Sequence, residues 1–265
     1  MRLSLPILTL LALVVLAASA PAKVREFEII QKGNLRVKFG AEFTPSTLPR
    51  KRPAPITVEV AGAIATTDGS HPPPLRKLEI EINRQGRISG RGLPVCTAPL
   101  LQSTTTKQAL ARCGNARVGS GSFRAQLALG TGKDVPATGR IVVFNSRTAG
   151  KPSLLIHLFI GVPVRVTMIV PITIGHRQEG VYGTVLRAFI PKLGGGLGSV
   201  TEIDLKLGRR YTFGGQRRSY LAAACSAPAE LEEGPFRFLR GSFRFEAHRK
   251  IETPPLTKFC RVRKP

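Results

Sequence analysis

Four cysteines, four histidines and 16 carboxylates are the side chains of this 265-residue chain from which a reactive site would be built. Two of the cysteines open nearly identical tetrapeptides, CTAP at 96–99 and CSAP at 225–228, and Cys113 and Cys260 complete the set. A nucleophilic role needs a thiolate held by a base or a positive charge. Arg217 and Arg218 lie near Cys225 in sequence, but an oxidising compartment consumes a free thiol. A zinc site wants ligands at C-x₂-C spacing; the nearest pair here is Cys96 and Cys113, and no histidine stands at ligand spacing from a cysteine. No metal site is expected. An even count in an exported chain points to two disulfides. Three connectivities are open, and local spacing favours Cys96–Cys113 and Cys225–Cys260. Small residues after each cysteine leave room for the bridge, and proline ends strand pairing.

The histidines and acids nominate no catalytic residue. His71 lies in a proline-rich loop, His248 in a basic tail, and His157 interrupts the apolar run SLLIHLFIG, where a hydrogen-bonded core histidine is expected. His176 stands near Glu179 without an identifiable nucleophile. Asp68, Asp134 and Asp204 are isolated, and Glu230, Glu232 and Glu233 form a solvated acidic turn. Glycines 194–198 lack both the P-loop lysine and the dinucleotide-binding spacing. No cofactor is implied.

The strongest candidate surface for a polyanion is LGRRYTFGGQRRSY at 207–220. Gly214-Gly215 suits a two-residue hairpin turn. Tyr211 then opposes Arg218 and Phe213 opposes Gln216, which puts Arg209, Tyr211, Phe213, Arg218 and Tyr220 on one face. Arg210 and Arg217 fall on the other. Arginine interleaved with aromatics can stack on rings while neutralising phosphates; the competing reading makes Tyr211 and Phe213 an extension of the core. Arg50-Lys51-Arg52 is a second basic spot, expected to be a solvated linker.

The elements that must hold these residues are strands. Residues 1–22 read as a secretory signal peptide: Arg2, an apolar run, and a small-residue exit ending at Ala22. No later segment reads as a transmembrane helix. Alternation marks 35–39, 56–60, 78–82 and 236–245, and the runs 141–144, 154–160, 164–174 and 184–190 are almost continuously apolar. Proline and glycine clusters at 49–55, 68–74 and 192–199 separate them. One helix is expected within 103–115, capped by a hydroxyl residue and closed by a left-handed Gly114. The order of signals repeats: LEIEI (78–82), CTAP and GSFRAQ (121–126) are followed by IDLKL (203–207), CSAP and GSFRFE (241–246). The expected fold is an all-β sandwich with one short helix, its halves 23–150 and 151–265 forming either one domain or two.

The segments GRGLPVC (90–96), LLQSTTTKQALARCGNARVGSGSF (100–123), FNSRTAGKP (144–152) and LGRRYTFGGQRRSYLAAACSAP (207–228) resemble an uncharacterised group of exported actinobacterial proteins. The resemblance implies secretion and brings no catalytic residue or ligand with it. The formal net charge of +24 adds anionic cell-wall or membrane polymers as the leading expected partners. Nucleic acid ranks lower for an exported chain with 6% aromatic residues. The alternatives are a carrier of an apolar, lipid-like ligand, suggested by the strands of 153–174, and a hydrolase built around His157 or His176.

Overall fold

The structure, a computed structural model, describes residues 27–128, 134–177, 180–196 and 198–264. The segment 1–22, expected to be a signal peptide, and Glu179 lie outside the described residues. The strands of the first half are β1 (Phe27–Lys32), β2 (Leu35–Thr44), β3 (Thr47–Leu48), β4 (Ala54–Pro55), β5 (Thr57–Thr66), β6 (Leu75–Asn83), β7 (Gly86–Ile88), β8 (Arg117–Ala128) and β9 (Asp134–Thr148). Those of the second are β10 (Lys151–Ile160), β11 (Val166–His176), β12 (Tyr182–Phe189), β13 (Gly198–Leu207), β14 (Arg210–Phe213), β15 (Gln216–Ser219), β16 (Leu221–Ala223), β17 (Glu233–Phe245), β18 (Lys250–Glu252) and β19 (Leu256–Val262). The all-β class stands. The two expected layers are one continuous sheet turned over on itself.

That sheet runs β1-β2-β5-β13-β8-β9-β10-β11-β12-β6-β17-β19, with β3 on the far edge and β18 on β17. The order splits into two series of six, and the third strand of each is followed by a strand from the other half. LEIEI of β6 pairs with GSFRFE of β17, and IDLKL of β13 pairs with GSFRAQ of β8. The registers correspond: Leu78 faces Phe243 and Ile80 faces Gly241, as Ile203 faces Phe123 and Leu205 faces Gly121. Each half therefore lends its alternating strand to the other, which makes the repeated punctuation a pairing code. Glycine is required at Gly121, where a Cβ would collide with the Asp204 carbonyl.

Right-handed strand twist rolls so long a sheet into a coil. Its two ends meet through side chains. Phe39 of β2 stands edge-on to Phe243 of β17 at 5.4 Å between ring centres, and Phe43 meets Phe238 at 5.2 Å and Phe236 at 5.5 Å. Lys258 of β19 reaches Glu42 of β2 at 3.3 Å across the same seam. A small sheet, β4-β16-β7, plugs the end of the coil at which β5 begins and β6 finishes.

The helix α2 (Thr106–Cys113) follows a single turn, α1 (Ala98–Leu101). Thr105 and Gln108 form a reciprocal capping box at its start. Its end departs from expectation: Gly114 is right-handed, and a tighter turn at 114–116 continues the helix and takes up the last free carbonyls. Ala109 and Cys113 pack on the outer face of the sheet against Val142, Phe144 and Leu155. Two disulfides, Cys96–Cys113 and Cys225–Cys260, have Cα separations of 5.5 and 5.7 Å. They place the folded chain in an oxidising environment. No helix among the described residues is long and apolar enough to cross a membrane.

Candidate functional site

The inward faces of the coil do not meet in the middle. They line a cavity of about 260 Å³ whose walls are mainly aliphatic, with residues such as Val60, Ile80, Leu158, Val170 and Leu205. These are the same inward-alternating positions that would fill a sandwich core. Around a coil of this circumference they form a wall, because side chains on opposite strands cannot span the diameter. A single buried water needs only ~10–15 Å³ of such space and several polar partners. This cavity has the room without the partners.

The polar residues of the lining sit toward its ends. Lys38, Ser199, Thr201 and Glu202 lie away from the plug, while Arg87 and Tyr220 lie beside it. Tyr220 is 2% exposed, and its hydroxyl has no hydrogen-bond partner among the described residues. Burial pushes its titration far above the ordinary range, so the phenol stays protonated.

At the end opposite the plug, Pro74, Ile190, Pro191 and Leu193 of the connecting loops join the lining. Here three residues far apart in sequence converge. His71 Nδ1 is 2.6 Å from Asp134 Oδ2, and His71 Nε2 is 3.0 Å from Ser199 Oγ. Ser199 Oγ is also 3.0 Å from the Pro72 carbonyl. Two proton placements fit this cluster. If the hydroxyl donates to Pro72, Nε2–H donates to Ser199 and the group clasps the loop to β13 and β9. If Nε2 accepts from the hydroxyl, the order is that of a nucleophile, base and carboxylate. Sequence reasoning missed this cluster because its members are 63 and 65 positions apart; polar residues flanking the cavity-lining strands were the available signal. Ser199→Ala discriminates the two: a clasp predicts a lower melting temperature and faster exchange of a cavity-bound probe, and a relay predicts loss of labelling by a fluorophosphonate.

The expected sites are distributed elsewhere. His157 is fully buried on the outer face of β10, with Nε2 3.0 Å from both Oγ1 and the carbonyl of Thr104. It anchors the loop before α2 and faces away from the cavity, which its neighbours Ile156 and Leu158 line. Burial lowers its pKa from 6.5. The unfolded chain therefore binds the extra proton first, and stability present above pH 6.5 is lost as pH falls through the lowered folded value. His157→Gln should flatten the decline in melting temperature between pH 7.5 and pH 5. His176 is exposed at the end of β11.

The 210–219 hairpin has the expected register, with Tyr211 opposite Arg218 and Phe213 opposite Gln216, around Gly214 and Gly215 at φ 59° and 72°. Its arginine–aromatic face is not free, however. Tyr220 is core. Arg209 donates to the carbonyls of Asn115 (2.6 Å) and Arg117 (2.9 Å), Tyr211 donates to that of Arg91 (2.7 Å), and Arg218 lies over Phe213 while donating to Gln216. Arg210 and Arg217 remain exposed. Arg50 likewise serves structure, donating to the carbonyls of Ala227 (2.6 Å) and Leu231 (2.8 Å).

A second, polar hollow of about 230 Å³ lies on the outer face of β6 and β17. Its floor is Glu81, held between Arg177 and Arg240, and Glu79 is paired with Arg187 at 3.2 Å. These are satisfied ion pairs. Among the described residues no cluster of three or more His, Cys, Asp or Glu can hold a metal ion. No family model, curated protein or solved structure matches this chain.

Proposed function

We propose that this protein is an exported carrier of an apolar ligand, with the interior of the coil as its binding site. The observation that carries the reading is the cavity itself. At ~24 cal/mol per Å³, keeping 260 Å³ empty costs about 6 kcal/mol. A whole domain is stable by only ~5–15 kcal/mol. A void on that scale is tolerable when a ligand fills it, and a lining without buried ion pairs selects hydrocarbon. The two disulfides support export by stiffening the wall in an oxidising environment, and the net charge of +24 supports exchange at anionic membrane or wall polymers. Titration with diphenylhexatriene tests the reading. Saturable fluorescence at one probe per chain is expected, and a linear, unsaturable signal refutes it.

A second reading, cleavage of an ester cargo, draws on the Asp134–His71–Ser199 order at the edge of the same cavity. It requires Ser199 to release its hydrogen bond to Pro72, and the fluorophosphonate labelling described above decides it.

A further inference from the structure

We propose that the polar hollow on the outer face of β6, β17 and β18 binds the phosphate group of a phosphate monoester, with Arg244 at its centre. The hollow is separate from the interior cavity, and the proposal stands apart from the carrier reading. Strand register carries it. Lys77 of β6 stands directly opposite Arg244 of β17, which in turn stands directly opposite Lys250 of β18. Their chain neighbours Leu78 and Phe243 line the interior and Ile251 is buried, so alternation turns all three cations to the outer face. Like charges set opposite one another on adjacent strands repel. Here three stand in one row, with no carboxylate among them.

The carboxylates of the hollow lie in the next rows and have partners of their own. Glu81 is held between Arg177 and Arg240, and Glu79 pairs with Arg187 at 3.2 Å and with Lys77 at 3.7 Å. Glu252 takes Lys250 at 2.6 Å. That hydrogen bond holds the Glu252 carboxyl below the ordinary range, and the charges of Arg240 and Arg244 lower it further, so it stays ionised. Even so, the hollow is lined by five cations against three carboxylates. Arg244 is exposed and makes no hydrogen bond or ion pair among the described residues.

A phosphate monoester fits this row better than a carboxylate does. A guanidinium fork binds two phosphate oxygens in parallel. Strands ~4.8 Å apart put a flexible lysine on either side of that fork. An ammonium has three donors, so Lys77 and Lys250 keep their glutamates and still reach the third oxygen. A carboxylate has two oxygens, and the fork engages both.

Isothermal titration calorimetry of the disulfide-bonded protein, in chloride at constant ionic strength, tests the site with inorganic phosphate, glycerol 3-phosphate and acetate. One saturable phosphate site per chain is expected, with acetate bound more weakly. Arg244→Gln alters an exposed, unpaired side chain and should fold as wild type does. It should weaken phosphate roughly tenfold to a hundredfold, the range of a hydrogen bond to a charged group. Arg217→Gln removes the same charge from a different sheet and should leave the affinity within about twofold, because salt screens a distant charge. Equal weakening in the two variants, an unchanged affinity in Arg244→Gln, acetate bound as tightly as phosphate, or no saturable binding overturns the proposal. Phosphatidylcholine vesicles with and without phosphatidic acid distinguish the source of the phosphate. Loss of binding that depends on phosphatidic acid in Arg244→Gln, but not in Arg217→Gln, assigns the site to a lipid headgroup. Equal vesicle binding by the two variants, with the calorimetric loss intact, assigns it to a soluble ester.

Discussion

Val170→Phe is expected to stabilise the ligand-free protein and abolish uptake of an apolar probe. Val170 lies on the inner face of β11, is 3% exposed, and lines the cavity. A phenyl ring adds about 60 Å³ of side chain, and filling that much void recovers about 1.5 kcal/mol at ~24 cal/mol per Å³. For a chain of this size that is a rise in melting temperature of about 3–6 °C. The same ring occupies the ligand's space. A solid core would respond in the opposite sense, since overpacking costs ~1–3 kcal/mol. Paired measurements of melting temperature and probe uptake therefore read the hollow interior twice, with opposite signs.

Replacing Cys225 and Cys260 together by alanine should cost about 4 kcal/mol, from the 35-residue separation the bridge closes. The corresponding loss for Cys96 and Cys113, 17 apart, is about 3 kcal/mol. The two differ more in consequence than in size. Cys96–Cys113 fixes α2 to the outer wall. Cys225–Cys260 ties β19, beside the seam where Phe39 and Phe43 meet β17, to the chain leaving the plug. Its removal should accelerate release of a bound probe several-fold, whereas removal of Cys96–Cys113 should leave release unchanged. Stopped-flow dilution of the loaded protein measures both.

Much of the scaffold was legible in the residues. Alternation in Leu78-Glu79-Ile80-Glu81-Ile82 names a strand with one wet face, cysteine spacing favoured the two bridges that form, and Gly214-Gly215 set the hairpin register. Those are local signals. The hollow was not legible, because an inward Val170 looks the same whether its opposite number touches it or stands across a cavity. Curvature decides that, and it accumulates over the whole sheet. The exchange of β6 and β13 between halves was hidden for a related reason: punctuation repeats along the chain, while pairing is settled by which strand completes the neighbour's register. Tyr220 alternates in phase with Tyr211 and Arg218, so the hairpin pattern placed it outside; the chain crosses from hairpin to plug within one residue and carries it into the core. His71, Asp134 and Ser199 carry no spacing to find.

Native mass spectrometry of the protein recovered from its own cells and their medium, purified without detergent or organic solvent, measures the occupancy of the coil. A mass excess equal to one hydrophobic molecule per chain, removed by organic extraction and absent from Val170→Phe, is the predicted result. A bare polypeptide mass, together with no uptake of alkane, alcohol or fatty acid by that material, would contradict a ligand-filled interior.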